Sequence, residues 1–229
     1  ELDTFLKSRG KVVELDALAS LQFTPGSISY TRQQEPLGLG HAVWTARHLI
    51  GDEPFAVLSA DDFVLSKTPC LKQMINEWEQ LQTNTTPINM VAVVDIPREH
   101  STRYGILDPL PFDAKESLIP IKGMVEKPPV DQAPSTLAII GRYILYPEVF
   151  GILENQPKGV GGEIQLTDAF TPMLKTQKFY GYRFEGTRYD CGSKAGYVAA
   201  TLAVALERDD LKEEVLNLLP EALNLRKAI

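Results

Sequence analysis

The sequence predicts an α/β protein with a Rossmann-like mixed sheet that carries helices on both faces. Two short apolar runs, at residues 55–60 and at Ile88–Asp95, have the length and composition of strands buried on both sides. Between them, residues 71–82 place their large apolar side chains along one face of a helix. Because a strand, a helix and a second strand in this order usually form a parallel unit, we expect a mostly parallel core.

The remaining elements are predicted on either side of this unit. Residues 27–32 predict a short strand, and a loop rich in glycine and proline then leads to a helix at 40–50. Downstream, several strand-like segments follow one another without long helices, which favours antiparallel or mixed pairing added to the parallel core. The downstream elements are strands at 104–107, 119–126, 137–145 and 179–184, and helices at 163–176, 194–208 and 211–225.

Composition and charge narrow the class of protein. The 229 residues are 44% hydrophobic, with 23 Lys and Arg against 30 Asp and Glu, a net charge of −7. This negative balance disfavours sequence-independent binding to nucleic acid or to anionic membranes, both of which need a basic surface. The two cysteines, Cys70 and Cys191, lie far apart without a metal-binding pattern, as expected in a reducing cytoplasm. No stretch is typical of a linker, so the sequence predicts one domain over residues 1–229.

Two adjacent acids directly follow the apolar run at 55–60. Asp61 and Asp62 therefore occupy the carboxyl end of a predicted strand, where open α/β sheets bind their ligands. Carboxylate oxygens are the ligands that Mg²⁺ prefers, and it usually shares them with substrate phosphates. A solvated turn or a helix cap explains the same pair equally well.

Two further segments carry candidate binding residues. Glu126 and Lys127 end a predicted strand before a proline, where an acid could accept hydrogen bonds from hydroxyl groups and a lysine could neutralise a phosphate. Successive strand residues point to opposite faces, so both reach one ligand only at a strand end or a bulge. In the loop before the helix at 40–50, Gly38 permits close backbone approach and the Gln33 amide both donates and accepts. A solvated surface pair and a simple turn are the respective alternatives.

Two acids in the second half of the chain complete the candidates. Asp190 lies between a strand and the last long helix, where it could be a second metal carboxylate or the cap of that helix. Glu163 follows a run of glycines and is expected in the first turn of the helix at 163–176. There the helix dipole explains it without any ligand.

Seven segments occur in the order found in a known family, and together they span nearly the whole chain. The segments are RQQEPLGLGHA, LSADD, YGIL, VEKP, GRYIL, GGEIQLTDA and YDCG. On these segments the sequence resembles the bacterial UTP–glucose-1-phosphate uridylyltransferases, or UDP-glucose pyrophosphorylases.

The resemblance implies a fold of the nucleotide-diphospho-sugar transferase type and a specific reaction. A uridylyl group would pass from UTP to glucose 1-phosphate with Mg²⁺ present, giving UDP-glucose and pyrophosphate. The resemblance also implies small-molecule substrates, no nucleic acid or membrane partner, a cytoplasmic location, and a homodimer or homotetramer. The related glucose-1-phosphate thymidylyltransferases share the general plan and are an alternative.

The resemblance also assigns residues to roles. Asp61 and Asp190 would bind the metal, and Lys127 would bind the sugar phosphate, making Asp61 and Lys127 the catalytic pair. The substrate-binding residues would be Gln33 and Gly38 at the uracil, Asp62 near the nucleoside, Gly105 and Gly141 along the sugar pocket, and Glu126 and Glu163 at the sugar.

One part of the family pattern has no match in this sequence. The family carries a first strand and a glycine-rich signature loop that cradles the triphosphate and supplies cations, and nothing like either occurs here. We therefore expect the single domain to be incomplete at its N-terminal side. A non-catalytic paralogue or regulatory subunit that has lost the loop is the alternative from a different functional class.

Overall fold

The computed structural model describes residues 1–82 and 86–225, with side chains through residue 220. The chain divides into two compact units, Glu1–Gln34 and Glu35–Ile229. The first unit contains helices α1 (Leu2–Ser8) and α2 (Val12–Ser20), and none of the residues of these two helices is buried. The strand predicted at 27–32 is wrong, because these residues form no strand.

The second unit contains the remaining described elements. Its helices are α3 (Leu39–Thr45), α4 (Arg47–Ile50), α5 (Cys70–Leu81), α6 (Glu148–Glu154), α7 (Phe170–Met173), α8 (Lys194–Glu207) and α9 (Lys212–Leu225). Its strands are β1 (Phe55–Leu58), β2 (Asp62–Leu65), β3 (Ile88–Asp95), β4 (Gly105–Pro109), β5 (Leu118–Glu126), β6 (Leu137–Leu145), β7 (Lys178–Arg183) and β8 (Thr187–Asp190). None of the described helices is long and apolar enough to cross a membrane.

The described strands form a mixed sheet in the order β1-β6-β3-β7-β5-β4, and a separate pair, β2-β8. Of the strand pairs formed by these residues, β3–β7 alone is parallel, so the expected mostly parallel core is wrong. The reason lies in β6, which inserts between β1 and β3 and runs antiparallel to both. β1 is consequently an edge strand of the described sheet, with Leu58 about half exposed rather than buried on both faces.

Helices cover both faces of the sheet, as predicted. β3 shows this most clearly, because its successive side chains enter two different apolar clusters. Met90 packs with Met74 of α5 on one face, while Val91 packs with Phe150 of α6 and Phe170 of α7 on the other. Burial on both faces explains why this strand has an almost continuous apolar sequence.

The helix predicted at 163–176 is largely wrong. The segment instead contains a 3₁₀ turn at Thr167–Ala169 and the short helix α7, and Glu163 is extended, with φ −105° and ψ 155°. The backbone here bonds to the glycine loop: the Ile164 N–H donates to the Leu37 carbonyl at 2.7 Å, and Gly40 N–H donates to the Ile164 carbonyl at 2.9 Å. Because these hydrogen bonds run to another segment, the first residues cannot form a helix of their own.

Candidate active site

A cavity of about 340 Å³ opens in the second unit at the ends of several strands. Its walls come from the segments after β1, before β4, at the end of β5, in the middle of β6, and at the end of β8. The lining residues that bear on chemistry are Asp61, Asp62, Arg103, Tyr104, Gly105, Glu126, Lys127, Gly141, Tyr143, Glu163, Thr167, Arg188 and Asp190. Eight of the ten residues assigned a role by resemblance are among them, and Gln33 and Gly38 are not.

Asp61 and Asp190 approach each other closely within this cavity. Pairing of β2 with β8 places Asp62 opposite Asp190, and the Cys191 N–H donates to the Asp61 carbonyl at 2.7 Å. A Cβ atom added to Gly192 would lie 3.1 Å from Asp61 Oδ2 and 3.1 Å from Asp190 Oδ1. Gly192 therefore leaves open a small space that both carboxylate oxygens face. This geometry fits a divalent cation held by two carboxylates and completed by substrate oxygens.

The structure excludes the helix cap as the explanation for Asp190. Helix α8 is capped by Ser193, whose hydroxyl oxygen accepts a hydrogen bond from the Gly196 N–H at 3.0 Å. The Asp190 side chain accepts instead from the Gly192 N–H at 3.1 Å, which fixes Oδ1 on the side of Asp61. No group of three or more potential metal ligands gathers anywhere in the part of the chain that the structure describes. A cation held here by two carboxylates would therefore complete its coordination with water or with oxygens supplied by substrate.

Asp62 points into the protein framework and is bound on both oxygens. Its Oδ1 forms an ion pair with Arg188, and its Oδ2 accepts from the Gly141 N–H at 3.0 Å. Both Asp62 and Arg188 side chains are only 13% exposed. Burial by itself would lower the pKa of Arg188, but hydrogen bonds to Tyr104 and Asp62 and the charge of Asp62 raise it above its ordinary value. The pair thus ties β2, β6 and β8 together beneath the cavity, and a role for Asp62 near the nucleoside stays a prediction.

Glu126 and Lys127 reach the same cavity although they are consecutive residues. Strand β5 ends at Glu126, and Lys127 has φ +47°, a left-handed conformation that is rare outside glycine. The turn lets the Lys127 ammonium lie 3.5 Å from Glu126 Oε1, while the Lys127 N–H donates to the Tyr104 carbonyl at 3.0 Å. Glu126 also accepts a 2.7 Å hydrogen bond from the Thr167 hydroxyl. The strand end expected from the sequence is therefore confirmed.

The two glycines predicted to line the sugar pocket lie where any side chain would collide with neighbouring residues of the site. A Cβ atom at Gly105 would lie 3.0 Å from Glu126 Oε2. At Gly141 it would collide with the Ser59 side chain and lie 2.9 Å from Asp62 Oδ2. The absence of a Cβ atom at these two positions keeps the acidic side chains close to the backbone and preserves the cavity.

The residues predicted at the glycine loop have different outcomes. Glu163 lines the cavity, and its Oε2 accepts from the Gln165 amide at 3.0 Å. Gly38 has φ +106° and packs against this segment, since a Cβ atom there would lie 2.8 Å from the Glu163 Cβ. Gln33 belongs to the first unit and Gly38 to the second, and uracil contacts for both residues stay predictions.

Sequence reasoning missed the cavity's arginines, Tyr104 and the Thr167 hydroxyl. A signal for Arg188 existed: it lies two residues before Asp190 on β8, and residues two apart on a strand share a face. Arg103 gave no comparable signal, because it ends the 3₁₀ helix Arg98–Arg103 and reaches the site only through the fold. Thr167 likewise meets Glu126 across a separation of 41 residues.

Asp168, beside the cavity wall, provides a test of the electrostatics. Burial, followed by the negative charge of Glu126, raises the pKa of Asp168. A carboxyl group with a raised pKa in the folded state stabilises the fold at low pH, and this contribution is lost as the pH rises. We therefore expect Asp168→Asn to increase the free energy of unfolding at pH 7, and the difference to disappear once the pH falls below about 3, where the carboxyl group is protonated in both states. Urea unfolding at several pH values measures this.

The control for this variant is Asp131→Asn, which removes the same charge at an exposed position. It should change stability little at either pH. A lower stability of Asp168→Asn at pH 7 would contradict the electrostatic argument.

The fold and the site together define a class of protein. A mixed α/β sheet whose strand ends carry two facing carboxylates, a lysine and a hydroxyl-binding glutamate is suited to phosphorylated small molecules bound beside a divalent cation. The family model described as nucleotidyl transferase matches residues 13–207. The chain belongs to the nucleotidyl transferase family, whose members generally use a divalent metal.

Individual relatives confirm the resemblance. The chain is 44% identical over 224 residues to a UTP–glucose-1-phosphate uridylyltransferase of Bacillus subtilis (strain 168), covering 98% of this chain and 74% of the relative. A solved structure of UTP-bound UGPase from Acinetobacter baumannii is similar at TM-score 0.84 and 36% identity, covering 96% of this chain and 74% of that one. A solved structure of a UDP-glucose pyrophosphorylase complexed with UDP-glucose is similar at TM-score 0.72 and 42% identity, covering 79% of this chain and 66% of that one. The chain thus spans about three quarters of the curated relatives it matches and about two thirds of this last structure.

Proposed function

We propose that the protein transfers a uridylyl group from UTP to glucose 1-phosphate, giving UDP-glucose and pyrophosphate. One observation carries the proposal: a single cavity is lined by residues from three separate segments, namely Asp61, Asp190 and the consecutive pair Glu126 and Lys127. The names of the relatives support the same reaction, because they include uridylyltransferases and structures containing UTP and UDP-glucose. Both substrates are anions, so positioning and charge neutralisation must account for most of the catalysis.

We propose Mg²⁺ as the divalent cation, which the carboxylates of Asp61 and Asp190 would hold. When bound, the ion would neutralise phosphate charge at the transition state. Gly192 contributes by leaving space between these oxygens, and its N–H fixes the rotation of the Asp190 carboxylate. The Asp62–Arg188 pair holds the strands that carry both acids in register.

The other side of the cavity is suited to the sugar ester. Glu126 is 10% exposed and accepts the Thr167 hydroxyl, which leaves its carboxylate oriented to accept hydrogen bonds from sugar hydroxyl groups. Glu163, which also lines the cavity, would make a similar contact. Lys127 would neutralise the phosphate whose oxygen attacks the α-phosphorus of UTP. No covalent intermediate with the protein is required.

The direct test is release of pyrophosphate from UTP and glucose 1-phosphate in the presence of Mg²⁺, using the full-length protein. We expect release only when both substrates and the metal are present, and loss of release on chelation of the metal. We also expect kcat/KM with UTP to exceed that with dTTP at least about tenfold, because UTP has a ribose 2′-hydroxyl group that the protein can bind and dTTP lacks it.

The competing functions predict different results in the same assay. Equal or faster reaction with dTTP would identify a thymidylyltransferase instead. No release with either nucleotide, in a protein that is folded by circular dichroism, would favour the non-catalytic paralogue.

We further propose that copies of the chain associate, as a homodimer or a homotetramer. Helix α8 supports this, because its apolar surface is poorly covered: Tyr197 is 63% exposed and Val198 is 65% exposed. Light scattering coupled to size-exclusion chromatography would measure the mass, and a monomer at all working concentrations would refute association.

A further inference from the structure

Two arginines share the cavity with Lys127, and both face the same oxygen of Asp190. The Arg103 guanidinium lies 3.8 Å from Asp190 Oδ2, and that of Arg188 lies 4.0 Å from it. The two side chains are held very differently, and this difference separates their roles.

Arg188 is part of the framework. Its side chain is 13% exposed, pairs with Asp62 and donates to the Tyr104 hydroxyl at 3.2 Å. Moving this guanidinium toward a ligand would leave the buried Asp62 charge unpaired. The free-energy cost of that unpaired charge is larger than the free energy gained from an ordinary contact with a ligand. Arg188 therefore cannot leave its position to bind substrate.

Arg103 is held weakly and is open to the cavity. Its side chain is 53% exposed, its 3.8 Å separation from Asp190 exceeds hydrogen-bond distance, and its guanidinium lies 5.7 Å from the centre of the Tyr104 ring. An exposed ion pair of this length stabilises a protein very little. An anion that enters the cavity and offers two oxygens would bind the guanidinium better than Asp190 does.

The backbone next to Arg103 is fixed to the segment that carries Lys127. The Ser101 side chain, in a residue only 1% exposed, donates to the Pro128 carbonyl at 3.1 Å, and the Lys127 N–H donates to the Tyr104 carbonyl. Two hydrogen bonds therefore join the segments that present Arg103 and Lys127, and both side chains line the cavity. Two cations in this arrangement can bind a single phosphate group from two directions.

We propose that Arg103 binds the phosphate of the sugar 1-phosphate together with Lys127, an assignment that rests on the proposed function. The planar guanidinium would donate two hydrogen bonds to phosphate oxygens, while the lysine acts as a point charge. Arg103 would leave Asp190 when it does so, and the Asp190 oxygen that faces Asp61 stays bound to the Gly192 N–H.

The test compares Arg103→Gln and Arg103→Lys with the unmodified protein. For Arg103→Gln we expect the KM for glucose 1-phosphate to rise about tenfold or more, since a hydrogen bond to a charged group is lost. The KM for UTP and the affinity for Mn²⁺, titrated without substrates, should stay within about twofold. Arg103→Lys keeps the charge but loses the planar guanidinium that can donate two parallel hydrogen bonds. Its KM for glucose 1-phosphate should lie between those of the unmodified protein and Arg103→Gln. Arg208→Gln removes an arginine that is similarly exposed and paired with Asp210, and should change no KM value.

Two outcomes would overturn the proposal. If Arg103→Gln left the KM for glucose 1-phosphate unchanged, or raised only the KM for UTP, Arg103 would not bind the sugar phosphate. Equal losses for both substrates with weaker Mn²⁺ binding would make Arg103 a positioning partner of Asp190 instead.

A binding measurement separates this proposal from the proposed function. The thermal unfolding midpoint is recorded with glucose 1-phosphate, with and without a non-hydrolysable UTP analogue. One possible result is that the unmodified protein releases no pyrophosphate, while glucose 1-phosphate raises its unfolding midpoint but not that of Arg103→Gln. In that case the assigned role of Arg103 stands and the transferase function fails. If glucose 1-phosphate stabilises the two proteins equally, the role of Arg103 fails whatever the activity.

Discussion

Replacing Lys127 by alanine is expected to lower kcat/KM at least about 100-fold, because the variant loses the charge that neutralises the attacking phosphate. The fold should tolerate the change. Lys127 has φ +47°, and alanine at this position has the same unfavourable left-handed backbone, so the free energy of unfolding should change by less than about 1 kcal/mol. Steady-state kinetics and urea unfolding of the same preparation measure the two quantities.

Lys122→Ala is the matched control for this variant. Lys122 lies on β5, the strand that ends immediately before Lys127, is 54% exposed and pairs with Asp108 at 3.3 Å, away from the cavity lining. It should keep near-normal kinetics. Near-normal turnover in Lys127→Ala as well would refute the assignment of this lysine to the phosphate.

Replacing Asp61 by asparagine is the second large expected effect. The substitution preserves size but removes a charge from the facing carboxylates, so we expect at least a 100-fold loss of turnover, on the order seen when one charge-stabilising group is removed. The affinity for Mn²⁺ measured without substrates should also fall, because one of two protein ligands is weakened. Added metal should therefore restore part of the lost activity.

Asp108→Asn provides the corresponding control, since it neutralises an acid outside the cavity. Its metal affinity and turnover should match those of the unmodified protein. If Asp61→Asn kept its Mn²⁺ affinity, the metal would have to bind elsewhere, and the interpretation of the space beside Gly192 would be wrong.

The two variants also distinguish the two halves of the cavity. Lys127→Ala should act mainly on the sugar phosphate while leaving Mn²⁺ binding intact, whereas Asp61→Asn should change both metal affinity and turnover. The separation is expected because Asp61 and Lys127 are presented by different segments, one after β1 and the other after β5.

Much of the fold followed from local sequence patterns. The apolar stripe of α5 and the continuous apolar run of β3 predicted both elements nearly to the residue, because periodicity reports how an element is buried. The same reasoning failed for residues 163–176. There, backbone hydrogen bonds to the glycine loop override local helix preference, and no local pattern reports such bonds.

Strand direction was also beyond local patterns. An apolar run such as residues 55–60 shows that a strand is partly buried, but its partner determines whether the pair is parallel. Here β6 returns between β1 and β3 and makes both pairs antiparallel. The short strands β2 and β8 were missed for a related reason, since each is four residues long and pairs with no other described strand.

The site divides in the same way. By itself the sequence determined which residue types follow the predicted strands. The order of its segments identified the family, and the resemblance to that family predicted site roles for Asp61, Glu126, Lys127 and Asp190. Only the tertiary structure decided that Asp190 faces Asp61 rather than capping α8, that Asp62 is bound within the framework, and that Arg103 enters the cavity. The physical reason is that carboxylates and guanidinium groups interact through space over a few ångströms. Residues more than 100 positions apart, such as Asp62 and Arg188, become partners only when the sheet brings their strands together.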